Sequence, residues 1–351
     1  MQAFAGASLL PLEALREVSG SLVLGTDEAT ADGWLESLAG LEALRSVAGL
    51  TLRGVLAPDL HALNGLEDIG QVDVDGRASG TLTVQRAHAL TDLSGLENAT
   101  GIGRIVIDDV RLESLRGIVL GANVEEVLIS EAPRLRDIGA LGTIERVEGA
   151  LSLQSTRIQN LEGLSGLQSA RAIALIGNPH LSDLSRLSQL RGVDELQIQD
   201  DDALITLPSL ANLEWLSSIS ITDNAALEEA NIDAGEAFRE PDVEGGYNYQ
   251  PPTQRIEIGR NLNLRRVSMT AFAYVQDVFI SDNLSLVEID LPNLIQAFSL
   301  GLRGNRVLST VNVPALQMVN FLGVNENPLL SESAFAAVQT VLVSMSGNAP
   351  P

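Results

Sequence analysis

Hydrophobic and polar positions along this chain alternate in short runs that return at a fixed spacing. The segment ISITDN, Ile219 to Asn224, shows the unit: apolar, polar, apolar, two polar positions, then a corner residue. Aligned on that unit, the corner falls at Asp27, Val55, Ala87, Val110, Ala132, Thr156, Asn178, Asp201, Asn224, Asn261, Asn283, Asn305 and Asn327. Most intervals are 22 to 24 residues, which marks thirteen repeats of one structural unit. Period-two alternation is the pattern of a strand with one face buried. It recurs in SLVLG, GLTLR, RIVID, EVLIS, ELQIQ and DVFIS. A second apolar stretch follows about five residues later, as in LHALNGL, IQNLEGL, LITLPSL, LVEIDL and LSTVNV. A third apolar patch, such as LRSV, IERV or LQMV, completes the unit. Each repeat is therefore predicted to be a three-sided coil. Stacked coils would pair parallel strands at roughly 4.8 Å, with aliphatic columns inside. The second side is predicted to be strand rather than helix. VEIDL and STVNV are rich in β-branched residues, and Pro208, Pro292 and Pro314 after that side would break a helix.

Six of the seven corners from Asn178 onward are asparagine: Asn178, Asn224, Asn261, Asn283, Asn305 and Asn327. A buried asparagine can donate to one neighbouring coil and accept from another, and it tolerates left-handed backbone angles. The earlier corners hold Asp, Val, Ala or Thr, so a less regular turn is expected in the amino-terminal half.

The repeated phrase L-x-x-V-x-G-x-L-x-I-x-x-N-x-x-L-x-x-L-x-G-L-x-x-L, over roughly residues 15–330, resembles the receptor L-domain type of leucine-rich solenoid. That is the fold of the ligand-binding domains of insulin- and EGF-type receptors, and it is similar to bacterial surface and fungal wall proteins. The resemblance implies a mainly β, right-handed parallel β-helix and a ligand-binding role. It carries over no hormone-receptor function, because the disulfides of those receptors are impossible in a chain with no cysteine.

Both ends of such a solenoid need covering. Residues 1–14 are read as an amino-terminal cap, 15–330 as the solenoid, and 331–351 as a carboxyl-terminal capping helix and tail. Ala334, Val338, Val341 and Met345 would form the buried stripe of that helix. Ser331 or Ser333 would cap its start, and Gly347-Asn348 would end it. Three insertions interrupt the period: TDEATADGW, VDVDGRAS and the stretch 234–254. The last holds Phe238, Glu240, Asp242, Tyr247 and Tyr249, a loop of tyrosines and acids of the kind that makes contacts with partners.

Composition narrows the partners. With 22 basic and 46 acidic residues the net charge is −24, which repels phosphate backbones and anionic lipid. Nucleic-acid binding is not expected. The sequence has no transmembrane run, so membrane insertion is not expected either. The acidity also leads to the expectation that folding depends on salt.

Chemistry is scarce. His61, His88 and His180 lie in different coils, and no GxSxG, HExxH or phosphate-binding loop occurs. Asp200, Asp201 and Asp202 share one corner; they read as a solvated acidic turn rather than a calcium site. Along the first strand the outward rows carry mixed charges with no dense carboxylate cluster, and Phe279 stands out among them as a contact residue. The reading is a non-enzymatic, monomeric recognition module with no cofactor and no metal. It would be extracellular or on a cell surface, with the cytoplasm as the other compartment. Strand faces and insertion loops would bind a protein or carbohydrate. The alternatives are a structural spacer and, third, a β-helix enzyme acting on carbohydrate.

Overall fold

The structure, a computed structural model, describes residues 9–25, 35–233 and 253–349. It is mainly β, a parallel β-solenoid of about 12 turns. The contacts divide it into two compact units, Met1–Arg171 and Ala172–Pro351. The first unit contains β1 (Glu17–Gly25), β2 (Ser46–Arg53), β3 (Asp68–Ile69), β4 (Gly80–Gln85), β5 (Ile102–Asp108), β6 (Asn123–Val124), β7 (Glu126–Ser130) and β8 (Arg146–Gln154). The unit boundary falls within β9 (Ser169–Ile176). The second unit contains β10 (Gly192–Gln199), β11 (Trp215–Thr222), β12 (Glu229–Ile232), β13 (Thr253–Gly259), β14 (Arg266–Met269), β15 (Tyr274–Ser281), β16 (Glu288–Asp290), β17 (Gln296–Arg303), β18 (Thr310–Asn312), β19 (Met318–Asn325) and β20 (Gln339–Ser346).

In the first unit the order β1-β2-β4-β5-β7-β8 is parallel throughout. Leu22, Leu50, Leu82, Ile105, Val127 and Leu151 are successive register partners and form one buried column. In the second unit the order is β10-β11-β13-β15-β17-β19-β20. Its column runs Leu196, Ile219, Ile256, Val278, Leu300 and Leu322. Each such side chain taken out of water contributes about 1.5–3 kcal/mol, so the repeated aliphatics are the main source of stability.

The second side differs between segments. Where the sequence is β-branched, strands form: β12, β14, β16 and β18 make a separate parallel sheet lined by Ala230, Val267, Ile289 and Val311. The strand expectation fails for the leucine-glycine segments. LHALNGL and IQNLEGL instead contain 3-10 turns at His61–Leu63 and Glu162–Leu164, and Gly139–Leu141 and Ser185–Gln189 add two more. Glycine has a part in the close turns as well: at Gly117, outside those 3-10 segments, φ is +107° and a Cβ would lie 2.1 Å from the Leu93 carbonyl oxygen. Only a residue without a side chain lets the chain turn that close to the coil before it.

The corners hold a second correction. The left-handed residue is not the asparagine but the one before it. Positive φ occurs at Gly54, Arg86, Asp109, Glu131 and Ser155, and again at Gly177, Asp200, Asp223, Arg260, Asp282, Gly304 and Glu326. The turn is therefore as regular in the first unit as in the second. Ten of these twelve amides bond onward along the stack, as Arg86 N–H does to the Asp108 carbonyl (3.1 Å) and Asp282 N–H to that of Arg303 (2.8 Å). What changes is the partner of the corner amide itself. Val110 N–H donates to the Glu131 carbonyl at 3.1 Å. In the second unit the corner amide finds a side chain instead: Asn224, Asn261, Asn283 and Asn305 each donate N–H to the side-chain oxygen of the next corner asparagine, at 3.0 to 3.1 Å. Their side-chain amides donate back to strand-end carbonyls of Ile198, Ile221, Ile258 and Ile280 at 2.9 to 3.1 Å. All of these asparagines are fully buried.

The expected carboxyl-terminal helix is absent. Ser331 does cap a turn there, accepting from Ser333 N–H, but that turn is a single 3-10 segment, Glu332–Phe335. Val341 and Met345 of the supposed helical stripe lie in β20, which pairs in parallel with β19. QTVLVSMS is β-branched and alternating, and the open edge of β19 supplies the backbone partners that an isolated helix would not need. Asn348, expected to end a helix, is a further rung of the ladder, accepting from Asn327 N–H at 3.1 Å. At the other end Leu10–Leu12 is a 3-10 turn, and residues 1–8 of the expected cap lie outside the described residues.

Candidate interaction face

In the second unit, strands β10, β11, β13, β15, β17, β19 and β20 turn alternate side chains away from the aliphatic column. The parallel register places those residues in rows across neighbouring coils. At the start of this face the rows are polar: Glu195, Gln197, Ser218, Ser220, Arg255 and Glu257. Towards β20 they become apolar. Phe321 on β19 is the register partner of Ser299 on one side and Leu342 on the other. Phe298 sits one residue before Ser299, at a position skipped by the pairing between Ala297 and Ser299. Its ring meets that of Phe321 edge-on, with centroids 5.1 Å apart and planes at 66°. Phe298, Phe321 and Leu342 are 45%, 43% and 58% exposed. Met318 on β19 and Val341 on β20 are exposed as well. Neighbouring strands of one face thus carry a contiguous set of aromatic and aliphatic side chains, which soluble surfaces keep small unless something binds there.

Phe279, the contact residue expected from the sequence, lies on β15 and is half-buried. Its ring leans towards Gly301 in the next strand, where an added Cβ would be 2.7 Å from the ring. The Arg255 guanidinium stacks over it at 5.1 Å from the centroid while bonding Glu257 at 2.9 Å. Phe279 therefore already has a cation partner and borders the apolar set rather than forming its centre. Phe238, Glu240, Asp242, Tyr247 and Tyr249 lie outside the described residues, as does the TDEATADGW insertion from residue 26 to 34. The VDVDGRAS insertion is described. It doubles back through an antiparallel bridge between Val72 and Ala78, and Asp73 Oδ1 accepts the amides of Asp75 and Arg77 at 2.9 and 2.8 Å.

Sequence reasoning missed Phe298, Met318, Val341 and Leu342. Phe298 occupies the skipped position between the regular rows, and Leu342 and Val341 had been assigned to a helix. The available signal was the strand-like run TVLVSM, which repeats the alternation of MVNFLGV one period earlier.

The histidines stay apart. His61 and His180 are exposed, and His88 Nε2 lies 2.9 Å from Asp109 Oδ1. Among the described residues no group of three or more His, Asp or Glu is placed to hold a metal. Among the same residues, no helix is long and apolar enough to cross a membrane.

The fold defines the class: a leucine-rich parallel β-solenoid with a buried asparagine ladder in its second unit. No protein-family model and no curated protein matches the sequence. A structural comparison aligns the chain with an internalin (inlF) from Listeria monocytogenes str. 4b F2365. The identity is 15%, with coverage of 98% of this chain and 84% of that one and a TM-score of 0.34. A second alignment is with TLR13 in the TLR13–ssRNA13 complex, at 13% identity, 82% and 64% coverage and a TM-score of 0.17. At these TM-scores neither alignment bears on function.

Proposed function

We propose that the chain is a non-enzymatic recognition module that binds a protein ligand through the outer face formed by β17, β19 and β20. The observation that carries this is the exposed set Phe298, Phe321, Met318 and Leu342 beside a polar remainder of the same face. Such a centre with a polar margin is the make-up of protein interfaces. A protein fits better than a carbohydrate. A sugar presents a flat C–H face that needs a flat ring, whereas these two rings meet at 66° and carry no hydroxyl or N–H for sugar hydroxyls. Phe238, Glu240, Asp242, Tyr247 and Tyr249 of the insertion are proposed as further ligand-binding residues. A recognition module facing a protein ligand suits the outside of a cell, and that is the compartment proposed.

The test is a direct binding screen against arrayed ectodomains and glycans, using wild type, Phe298→Ser/Phe321→Ser, and a deletion of Ala234–Pro252. Both side chains are nearly half exposed, so the double variant should melt close to wild type. It should bind its protein ligand about 30-fold more weakly, the consequence of losing a contact worth about 2 kcal/mol. Undiminished binding by the double variant would exclude this face. Glycan binding alone would overturn the ligand class.

A further inference from the structure

Asp201 stands where the ladder of the second unit should have an asparagine. Its side chain is fully buried. One carboxyl oxygen, Oδ1, accepts the Asn178 amide at 2.8 Å, and the Asp201 amide donates to Asn224 Oδ1 at 3.0 Å. Those two bonds are the same as at every other rung. The other oxygen, Oδ2, is buried and has no hydrogen-bond partner. At the neighbouring rungs that position is an NH2 group that donates. Asn224 Nδ2 donates to the carbonyls of Ile198 and Thr222 and to Asn261 Oδ1, at 3.0 to 3.2 Å. One coil earlier the equivalent carbonyls belong to Leu175 and Gln199, and the equivalent side-chain oxygen to Asn224. Asp201 Oδ2 thus occupies the place that a donor fills at the Asn224 rung. An ionised oxygen there is buried with no donor bonded to it, while a protonated one can donate as the amide does.

We propose that Asp201 is held in the ladder as the neutral acid, with Oδ2–H as its missing donor, and that its ionisation is a pH-sensitive break point in the second unit. The surroundings favour that state. Burial pushes the Asp201 carboxyl up to about 7, against an ordinary value of 3.8; the Asn178 amide pulls it down, and Asp200 and Asp202 raise it further. The titratable groups on the three stacked corners are His180 on the first, Asp200 and Asp202 on the second, and Asp223 on the third. Asp223 is neutralised by Arg260 through bonds of 2.7 and 2.8 Å. Asp202 Oδ1 accepts the Ala225 amide at 3.2 Å and so points along the surface rather than into the ladder. The expectation of a solvated acidic turn holds for Asp200 and Asp202 and fails for Asp201.

The sign follows from proton counting. A buried acid with a raised value binds its proton more tightly folded than unfolded, so stability falls as pH rises from about 4 to about 7 and is flat above that for this group. Over that window the folded-to-unfolded ratio falls about tenfold per pH unit, about a thousandfold in all.

The experiment compares wild type with Asp201→Asn by urea unfolding at pH 5, 6, 7, 8 and 9 at fixed ionic strength. Other carboxylates titrate in both proteins, so the difference isolates Asp201. The variant's stability relative to wild type should rise between pH 5 and pH 7, by about tenfold in the folded-to-unfolded ratio per pH unit, and level off above that. A difference that does not change with pH would overturn the proposal. Carboxyl-carbon NMR of wild type provides a measurement that needs no variant: one aspartate should titrate near neutrality, and titration of every aspartate below pH 5 would overturn the assignment. Stabilisation at pH 8 by added calcium, reversed by chelation and absent from Asp201→Asn, would overturn it too. The site would then hold a cation instead of a proton.

Discussion

Replacing Asn283 by alanine tests the ladder most directly. Asn283 Oδ1 accepts the Asn261 backbone amide at 3.0 Å and the Asn261 side-chain amide at 3.2 Å. Its Nδ2 donates to the Ile258 carbonyl at 3.0 Å. Alanine leaves the Asn261 N–H and the Ile258 carbonyl without those partners in a fully buried place; the Asn261 side chain keeps its bond to Ile221. Each buried orphan costs about 1–3 kcal/mol, so the expected loss is about 3–5 kcal/mol once the removed side-chain contacts are included. Val110→Ala is the control. It also truncates a buried corner residue, but there the amide bonds backbone, and the loss should stay near the transfer value of two methyl groups, about 1.5 kcal/mol. Because a solenoid can open locally, the assay should be local as well as global. Native-state hydrogen exchange at the Asn261 amide should accelerate by about a hundred- to several-thousandfold in Asn283→Ala. The Asn305 amide, held by Asn327 at 3.1 Å, should change far less. Unchanged protection at Asn261 would refute the claim that the asparagine oxygen supplies the corner bond.

Two further outcomes follow from the same geometry. Gly117→Ala should destabilise the first unit by at least about 2 kcal/mol in a denaturant melt, because the backbone has a positive φ and the new methyl meets the Leu93 carbonyl; a neutral substitution would show that the turn relaxes freely. With a net charge of −24, the melting temperature should rise between low and molar salt as the screening length falls from about 10 Å at 0.1 M to about 3 Å at 1 M. An unchanged melting point would remove the salt expectation.

Period, coil and core were legible in the sequence because they depend on single positions repeated many times. A column such as Leu196, Ile219, Ile256, Val278, Leu300 and Leu322 needs only an apolar residue at one place per coil. The corner asparagines were legible for a similar reason: a short side-chain amide that both donates and accepts recurs at one place per coil. Tertiary structure decided what depends on a neighbour. β20 is a strand because β19 offers it an edge, although the spacing of Ala334, Val338, Val341 and Met345 fits a helix equally well. The left-handed residue before the corner can be Gly, Asp, Arg or Glu, since the stack repays its strain through amide bonds to the next coil such as those of Arg86, Asp282 and Glu326. The apolar face emerges only when coils in register bring Phe298, Phe321 and Leu342 together from positions 23 and 21 residues apart. The state of Asp201 belongs to the same class: the letter D announces a charge, and only the burial of an unpartnered Oδ2 in the ladder makes a proton the better occupant.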